Sequence, residues 1–451
     1  MSIPERAPWL LIGTLLVTSA TATRSERMPD TTRAVRVADD TMVQAYMVDS
    51  IRVLQRLNPF TDVVAVNVYL LGGSRQLTTA TQGIESMLVT ASRYGTRSFP
   101  DTTLRTAWGM TGSDAAVEIT NDWTMLGFRG VRDEFDRSWD IVTERLTSPT
   151  LHADAVDVAR ERLVSSLRRR RSTPDGEIGF VSDSVVFAGH AYGLSPYGTD
   201  QSLAGLDSTV LARYVQSQMT RSRMLVVVAG SVTRAMVEGA IHRTLGRQPH
   251  GQYAWTPPPP IVERTGSVTL IPRQSATNYV IGVFEGPAET HEDYPAFRTA
   301  TSFLGQLITT AVREKRGLSY AASADVEDRA LVTGSIYVTT GKPDTVLRLI
   351  QRQIATLQDP DSLPAGMTFS SDKNSLASLF RRSTSAAQVE SLAHAELLQG
   401  DFRLADNLPR RLRTVSSSSV RQAARKYMQN IRYVYAGDTT LVNRQSFRKL
   451  R

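Results

Sequence analysis

The sequence of 451 residues contains no cysteine. That absence excludes disulfides, lipids attached through cysteine, thiol nucleophiles and zinc sites with thiolate ligands. Histidine is also scarce, with 6 in the chain, and no two of them lie closer than eight residues. A helical zinc pair commonly places two histidines about four residues apart on one face. The sequence therefore offers no such pair.

Long apolar runs are missing after the N-terminus, where no stretch approaches the roughly 20 residues of a membrane-spanning helix. The N-terminus itself carries Arg6, then an apolar stretch from Ala7 to Val17, then the small-x-small site Ala20-Thr21-Ala22. This pattern predicts a signal peptide at residues 1–22, cleaved after Ala22. We therefore expect a periplasmic or otherwise extracytoplasmic protein with no stable membrane span after cleavage. An uncleaved N-terminal anchor is the alternative.

The formal charge of +8 is spread along the chain. The one dense basic run, Arg168 to Arg171, ends an amphipathic helical pattern, where cations ordinarily form a solvated cap on the helix dipole. The sequence therefore predicts no nucleic-acid partner.

Proline is concentrated near the middle of the chain, at Pro257 to Pro260. Such a run cannot continue a helix or a central strand, so it predicts a stiff, extended connector. Because the chain exceeds the size of a single hydrophobic core, we expect an N-terminal domain at 40–250, a linker at 251–262 and a C-terminal domain at 263–451.

The two halves show the same order of elements. An apolar strand at 63–71 and another at 279–284 each end at glycine and lead into an amphipathic helix. Further on, a strand at 115–120 is matched with one at 334–340, and both halves close on a helix and an apolar strand ending in Ala-Gly. This repeat predicts an α+β fold of two homologous domains, each a mostly antiparallel sheet with helices on one side.

The segment from Arg313 to Tyr320 ends a predicted helix with an arginine and places a tyrosine at the start of the next strand. The guanidinium fork and the phenol can hold a peptide carbonyl or carboxylate, but neither activates water by itself. The segment therefore indicates substrate binding without chemistry. Alternatively, Arg313 satisfies the last carbonyls of its own helix, Gly317 ends that helix, and Tyr320 only packs.

Together, the repeat, the linker and several short segments resemble the pitrilysin/insulinase family of inverted-zincin metallopeptidases. The resemblance favours the bacterial relatives of the mitochondrial processing peptidase and runs from about Gln44 to the C-terminus. The segments that carry it are 46–53, Gly73-Ser74-Arg75, Ala191-Tyr192-Gly193, Gly198-Thr199-Asp200 and 313–320.

The resemblance implies a dismantled zinc site. Active members carry H-x-x-E-H on the first helix and a further glutamate on a later helix. Here Gln82 and Ser86 stand at the histidine positions, Glu85 remains as a vestigial general-base position, and Ser166 is assigned to the later ligand position. Gln and Ser are poor zinc ligands, so no cofactor is expected on this chain.

The resemblance further implies that Arg313 and Tyr320 match the pair that holds the substrate in active relatives. We therefore expect a non-catalytic, substrate-binding subunit of a secreted heterodimeric zinc metallopeptidase. Its partner would be a homologous subunit that supplies zinc and the general base, and its substrate an extended peptide, which could pair with a sheet edge of the first domain. One alternative is a pseudopeptidase that acts as a binding or assembly scaffold, and another is an independent peptidase.

Overall fold

The computed structural model describes residues 43–261, 265–359 and 384–448. The predicted signal peptide at 1–22 lies outside these ranges. Within them, no helix is both long enough and apolar enough to cross a membrane.

The first half of the chain forms a six-stranded sheet in the order β1-β2-β6-β3-β5-β4. β2 and β6 run parallel, and every other neighbouring pair is antiparallel. The last strand of this half, β6, is therefore inserted at its centre. The strands are β1 Val43–Val48, β2 Ile51–Leu57, β3 Val63–Leu71, β4 Asp114–Ile119, β5 Trp123–Val131 and β6 Met224–Gly230.

The second half forms a five-stranded sheet in the order β7-β11-β8-β10-β9, in which only β7 and β11 run parallel. Its last strand is again inserted beside the first. Apart from β1, the two sheets therefore match strand by strand, and the prediction of one mostly antiparallel plan used twice is confirmed. The strands are β7 Val268–Pro272, β8 Asn278–Glu285, β9 Ala322–Glu327, β10 Thr333–Thr340 and β11 Arg432–Gly437.

One detail of the predicted repeat is wrong. The strand at 115–120 was matched with 334–340, but β4 is an edge strand and corresponds to β9, whereas β10 corresponds to β5. Both β5 and β10 pair with the strand that precedes the first α-helix of their half, β3 and β8 respectively. The apolar pattern of a strand does not reveal which of two hairpin-linked strands lies at the edge.

Helices cover one face of each sheet. Val64, Val66 and Val68 of β3 join a core with α1 and α3, and a matching core in the second half joins β8 and β10 to α9, α10 and α13. The helices are α1 Ile84–Ala91, α2 Thr102–Thr111, α3 Phe135–Thr147, α4 Ala153–Ser172, α5 Pro174–Val186, α6 Asp200–Ala204, α7 Ser208–Gln218, α8 Arg234–Arg243, α9 Tyr294–Ile308, α10 Pro343–Gln358, α11 Ser385–His394, α12 Leu408–Arg413 and α13 Ser417–Tyr427.

The opposite face of each sheet is covered by a helix from the other half. Ile178 of α5 packs on Val434 and Ala436 of β11. In return, Val389 and Leu392 of α11 join a cluster formed by the odd-numbered face of β3 and its neighbours. The sequence predicted helices on one side of each sheet, and the structure adds a helix of the other half on the opposite side. These two helices hold the halves together through apolar contacts. Residues 251–261 between them form neither helix nor strand, as the proline run predicts.

The end of α11 is anchored by a charge cluster in which Glu289 is buried and His394 is partly exposed. His394 Nε2 lies 2.6 Å from Glu289 Oε1, and Gln399 Nε2 donates to Glu289 Oε2 at 3.0 Å. Burial disfavours the charged imidazole, but the Glu289 carboxylate and then Asp328 outweigh it and raise the pKa of His394 above its usual 6.5. The pair is therefore stabilised when His394 is protonated.

We expect this cluster to make stability depend on pH. A raised pKa means that the folded chain binds the proton more tightly, so the stabilisation is complete below about pH 6.5 and is lost as pH rises through the folded pKa. Urea unfolding of the wild type should therefore show lower stability at pH 8 than at pH 6, and His394→Gln should flatten that slope. Arg129→Gln, which breaks the exposed pair with Glu390 of α11, is the matched control, because it removes an ion pair without removing a histidine, and it should leave the slope unchanged.

Candidate functional site

Glu85 lies on α1 with only 2% of its surface exposed. Its Oε1 accepts hydrogen bonds from the Tyr214 hydroxyl at 2.5 Å and from Arg223 Nη2 at 3.0 Å. Its Oε2 accepts one from the Thr124 hydroxyl at 2.6 Å. Arg223 is equally buried, so the two side chains form an ion pair sealed from solvent.

This arrangement leaves Glu85 no role as a base. A general base must reach the proton of a substrate or a water, whereas both oxygens of Glu85 are already committed to protein donors. Burial and then the Glu85 carboxylate raise the pKa of Tyr214, so its hydroxyl stays protonated and keeps donating. Glu85 is thus a structural anion that holds α1 to α7 and to the start of β6.

Sequence reasoning missed Thr124, Tyr214 and Arg223 as partners of Glu85. One signal was available: Arg223 directly precedes the apolar run 224–229, and a charge beside a fully buried strand needs a buried partner. The carboxylate that pairs with Arg223 is that of Glu85, which lies 138 residues earlier in the chain.

Gln82 and Ser86 stand at the positions of the missing histidines. Both side chains form hydrogen bonds with the backbone of one loop. Gln82 Oε1 accepts from the Ser195 backbone N–H at 2.9 Å, and Ser86 Oγ donates to the Pro196 carbonyl at 2.8 Å. The same loop presses on the start of α1 at Gly198, where a Cβ on Gly83 would lie 2.6 Å from the Gly198 Cα. The loop therefore takes up the polar groups that a metal ion would need.

The structure does not bring Ser166 to this position. Ser166 is exposed on α4, whereas Leu163, about one turn earlier, lines the same cavity as Ser86. Assigning Ser166 to the later ligand position is therefore not supported. An apolar Leu163 at this point is no better a ligand.

The residues at the degenerate site do not fit zinc. Gln82 and Ser86 are neutral oxygen donors engaged by the loop, and Glu85 is held by Arg223. No group of three His, Asp or Glu side chains that could hold a metal occurs in the described ranges. The geometry thus agrees with the loss of the ligands inferred from the sequence.

The segment from Arg313 to Tyr320 begins in a π-helical turn, Thr309–Glu314, that follows α9. Gly317 ends it in the left-handed conformation with φ 59°, and its N–H donates to the Arg313 carbonyl at 2.9 Å. Arg316, not Arg313, returns its guanidinium to a helix carbonyl, that of Ala311, at 2.8 Å. Gly317 thus ends the helix as the alternative expected, but among the described residues the Arg313 guanidinium forms no hydrogen bond with a helix carbonyl.

Arg313 and Tyr320 meet on the surface. The Arg313 guanidinium carbon lies 5.3 Å from the centre of the Tyr320 ring, and Tyr320 is 85% exposed. In the part of the chain that the structure describes, no carboxylate pairs with Arg313 and no hydrogen bond uses the Tyr320 hydroxyl. The two side chains thus present a cation and a phenol to solvent.

Neither residue is joined to the degenerate zinc site. Across the described ranges, no hydrogen bond, ion pair or ring contact links Arg313 or Tyr320 to Gln82, Glu85 or Ser86. The predicted substrate-binding pair and the former metal position are therefore separate features of the chain.

The fold and the filled site describe a metallopeptidase-like protein whose metal position has been converted into structural contacts. Residues 205–362 match the family described as the peptidase M16 inactive domain. The chain is 19% identical over 395 residues to the uncharacterized zinc protease YmxG of Bacillus subtilis, covering 85% of this chain and 95% of that protein. It is 25% identical over 198 residues to the beta subunit of the mitochondrial-processing peptidase of Blastocladiella emersonii, covering 43% of this chain and 42% of that subunit.

Solved structures confirm the fold. A peptidase M16 inactive domain from Pseudomonas fluorescens matches 88% of this chain and 98% of its own with a TM-score of 0.79 at 16% identity. A protease from Helicobacter pylori matches 88% of this chain and 99% of its own with a TM-score of 0.79 at 16% identity. The M16 peptidases, the pitrilysin/insulinase family that the sequence resembles, are therefore the proteins to which this chain is similar in sequence and in fold.

Proposed function

We propose that the protein is the non-catalytic, substrate-binding subunit of an extracytoplasmic, heterodimeric zinc peptidase. The observation that carries the proposal is the contrast between its two sites. The polar groups at the former metal position form hydrogen bonds and an ion pair within the chain, whereas Arg313 and Tyr320 are exposed and contact each other. A pair retained only for stability would be expected to bond to its own fold.

In this proposal, Arg313 and Tyr320 hold an extended peptide at the zinc of a homologous partner. The guanidinium offers two parallel donors to a backbone carbonyl or carboxylate, and the phenol adds a third. The partner supplies zinc, which polarises the scissile carbonyl and activates water, together with the general base. The signal peptide predicted at residues 1–22 favours secretion, and the predicted domains at 40–250 and 263–451 would provide the two surfaces of the subunit.

Co-purification tests the pairing. A tagged copy of this chain should retain a secreted homologue that carries an intact H-x-x-E-H, and peptide cleavage should appear in the mixture but not in this chain alone. The partner alone is the control. If the partner cleaves peptides equally well without this chain, the protein has no proteolytic role and the scaffold alternative stands.

Metal analysis gives a further prediction. After dialysis without chelator, the isolated chain should retain substoichiometric zinc, because Gln82, Glu85 and Ser86 do not fit the metal. The partner bearing H-x-x-E-H, treated in the same way, should keep about one zinc per chain. Stoichiometric zinc on the isolated chain would contradict the geometry of the degenerate site.

A further inference from the structure

A cavity of about 890 Å³ lies among the helices α1, α2, α3 and α4 of the first half of the chain. Part of its wall is a small apolar cluster, in which Leu104 and Ile141 are buried and Trp108 packs against them. Val158 and Leu163 of α4 also line it. Pockets for small organic molecules have this size and are lined largely by apolar side chains. The cavity is therefore suited to such a molecule.

The cavity contains a buried cation. Arg145 of α3 is only 7% exposed, and no described carboxylate pairs with it. Its Nη2 donates to the Val89 carbonyl at 3.0 Å and its Nε donates to Ser92 Oγ at 3.3 Å, and both of these oxygens are neutral. Its Nη1 makes no hydrogen bond to any described residue. Burial and then the nearby Arg93 lower the pKa of Arg145 to about 10, so the guanidinium stays charged at neutral pH.

The other charged residues of the cavity do not neutralise Arg145. Three further arginines and only two carboxylates line the cavity, and none of these arginines forms an ion pair within the described ranges. A buried charge without a partner is unfavourable, so this surplus of positive charge favours an anion in the cavity. The lining arginines are Arg93, Arg105 and Arg162, and the carboxylates are those of Asp101 and Asp154.

The arrangement of donors and apolar walls indicates the chemistry of the anion. Arg145 has one nitrogen free of hydrogen bonds, which a single carboxylate can accept from, with the strength of a charge-assisted hydrogen bond. An apolar chain attached to that carboxylate would cover Leu104, Trp108 and Val158 and remove their surface from water. An inorganic anion would leave these walls bare. The cavity thus favours a carboxylate that carries an apolar chain.

We propose that this cavity binds a small amphiphilic carboxylate, of the class of a medium-chain fatty acid, with its head group on Nη1 of Arg145. The chain of the ligand lies along the apolar walls, and the exposed arginines attract the anion from solution. Side chains alone hold the ligand, and no strand takes part through its backbone. The site uses neither Arg313 nor Tyr320, so it is independent of the proposed role of those residues.

The binding experiment compares octanoate with its neutral analogue octanamide and with the shorter butyrate. Isothermal titration calorimetry of the isolated chain at neutral pH and about 0.15 M salt should show octanoate binding at least about tenfold more tightly than either. Octanamide lacks the charge that Arg145 needs, and butyrate lacks four methylenes that the walls would bury. Equal affinity for octanoate and octanamide, or for octanoate and butyrate, would overturn the proposal, and so would the absence of octanoate binding.

Arg145→Met should reduce the preference for octanoate over octanamide to within about twofold, because the charged donor is removed while an unbranched side chain still fills its place. Arg169→Met is the matched control, because Arg169 is exposed on α4 and does not line the cavity. The control should leave both affinities unchanged. An unaltered preference in Arg145→Met would contradict the placement of the carboxylate on Arg145.

A second variant tests the site if Arg145→Met does not fold. Val158 lines the cavity from α4 and is 44% exposed, so Val158→Asp leaves the core intact. It should weaken octanoate at least several-fold, because an apolar contact is lost and a second anion enters the cavity. Val131→Asp is the control, since Val131 is 47% exposed and lies outside the cavity. Equal octanoate affinity in the two variants would count against this cavity as the site.

Discussion

Replacing Arg223 with Met is expected to destabilise the protein by about 3–5 kcal/mol, because it leaves the Glu85 carboxylate buried without a cation. Glu85 and Arg223 are each 2% exposed, and their contact of 3.0 Å is enclosed by Thr124 and Tyr214. Arg223 also donates from Nε to the Leu71 carbonyl at 2.8 Å, so a second buried acceptor loses its donor. Urea unfolding at neutral pH measures the loss.

The matched control is Arg234→Met on α8. Arg234 forms an i,i+4 pair with Glu238 at 2.7 Å, but the two side chains are 53% and 33% exposed. Its loss should destabilise the protein far less, because solvent screens an exposed pair. Glu85→Gln combined with Arg223→Met should recover part of the larger loss, because the uncompensated charge is gone. Equal effects of Arg223→Met and Arg234→Met would contradict the structural role of the buried pair.

Much of the fold could be predicted from local pattern. The alternating apolar residues of β3 and the glycines that end it are readable in the sequence, and so is the Tyr-to-Ala-Gly closing unit shared by β6 and β11. The proline run lies in a stretch, residues 251–261, that forms neither helix nor strand between the two sheets. These features depend on neighbours in the chain, which is why periodicity found them.

The parts that were missed depend on distant partners. The exchange of α5 and α11 between halves joins Ile178 to β11 and Val389 to the first sheet, and amphipathicity shows that a helix buries a face but not against which sheet. Likewise, the dismantled metal position could be inferred from Gln82 and Ser86, but the loop at 195–199 that fills it could not. The structure does not support the assignment of Ser166, because spacing on a helix does not fix which side chain faces α1.

Arg313→Ala is expected to lower peptide cleavage by the mixture of this chain and the proposed zinc-bearing partner about 10²–10³-fold. In the proposed complex, the guanidinium holds the reacting carbonyl. Removing the guanidinium should therefore lower kcat more than it changes KM. Tyr320→Phe keeps the ring that lies 5.3 Å from the Arg313 guanidinium but removes the hydroxyl. A smaller loss, of about tenfold, should follow if one neutral hydrogen bond is removed. Steady-state kinetics on a fluorogenic peptide measures both.

The control for these variants is Lys315→Ala, because Lys315 is an exposed cation two residues away that contacts neither Arg313 nor Tyr320 through its side chain. It should leave kcat and KM unchanged. All three variants should co-elute with the partner in size-exclusion chromatography, since the altered side chains are exposed and outside the core. Loss of activity with retention of the complex separates a substrate-holding role from an assembly role. Full activity in both Arg313→Ala and Tyr320→Phe would mean that this surface pair does not reach the substrate, and the chain would then contribute to its complex as a scaffold.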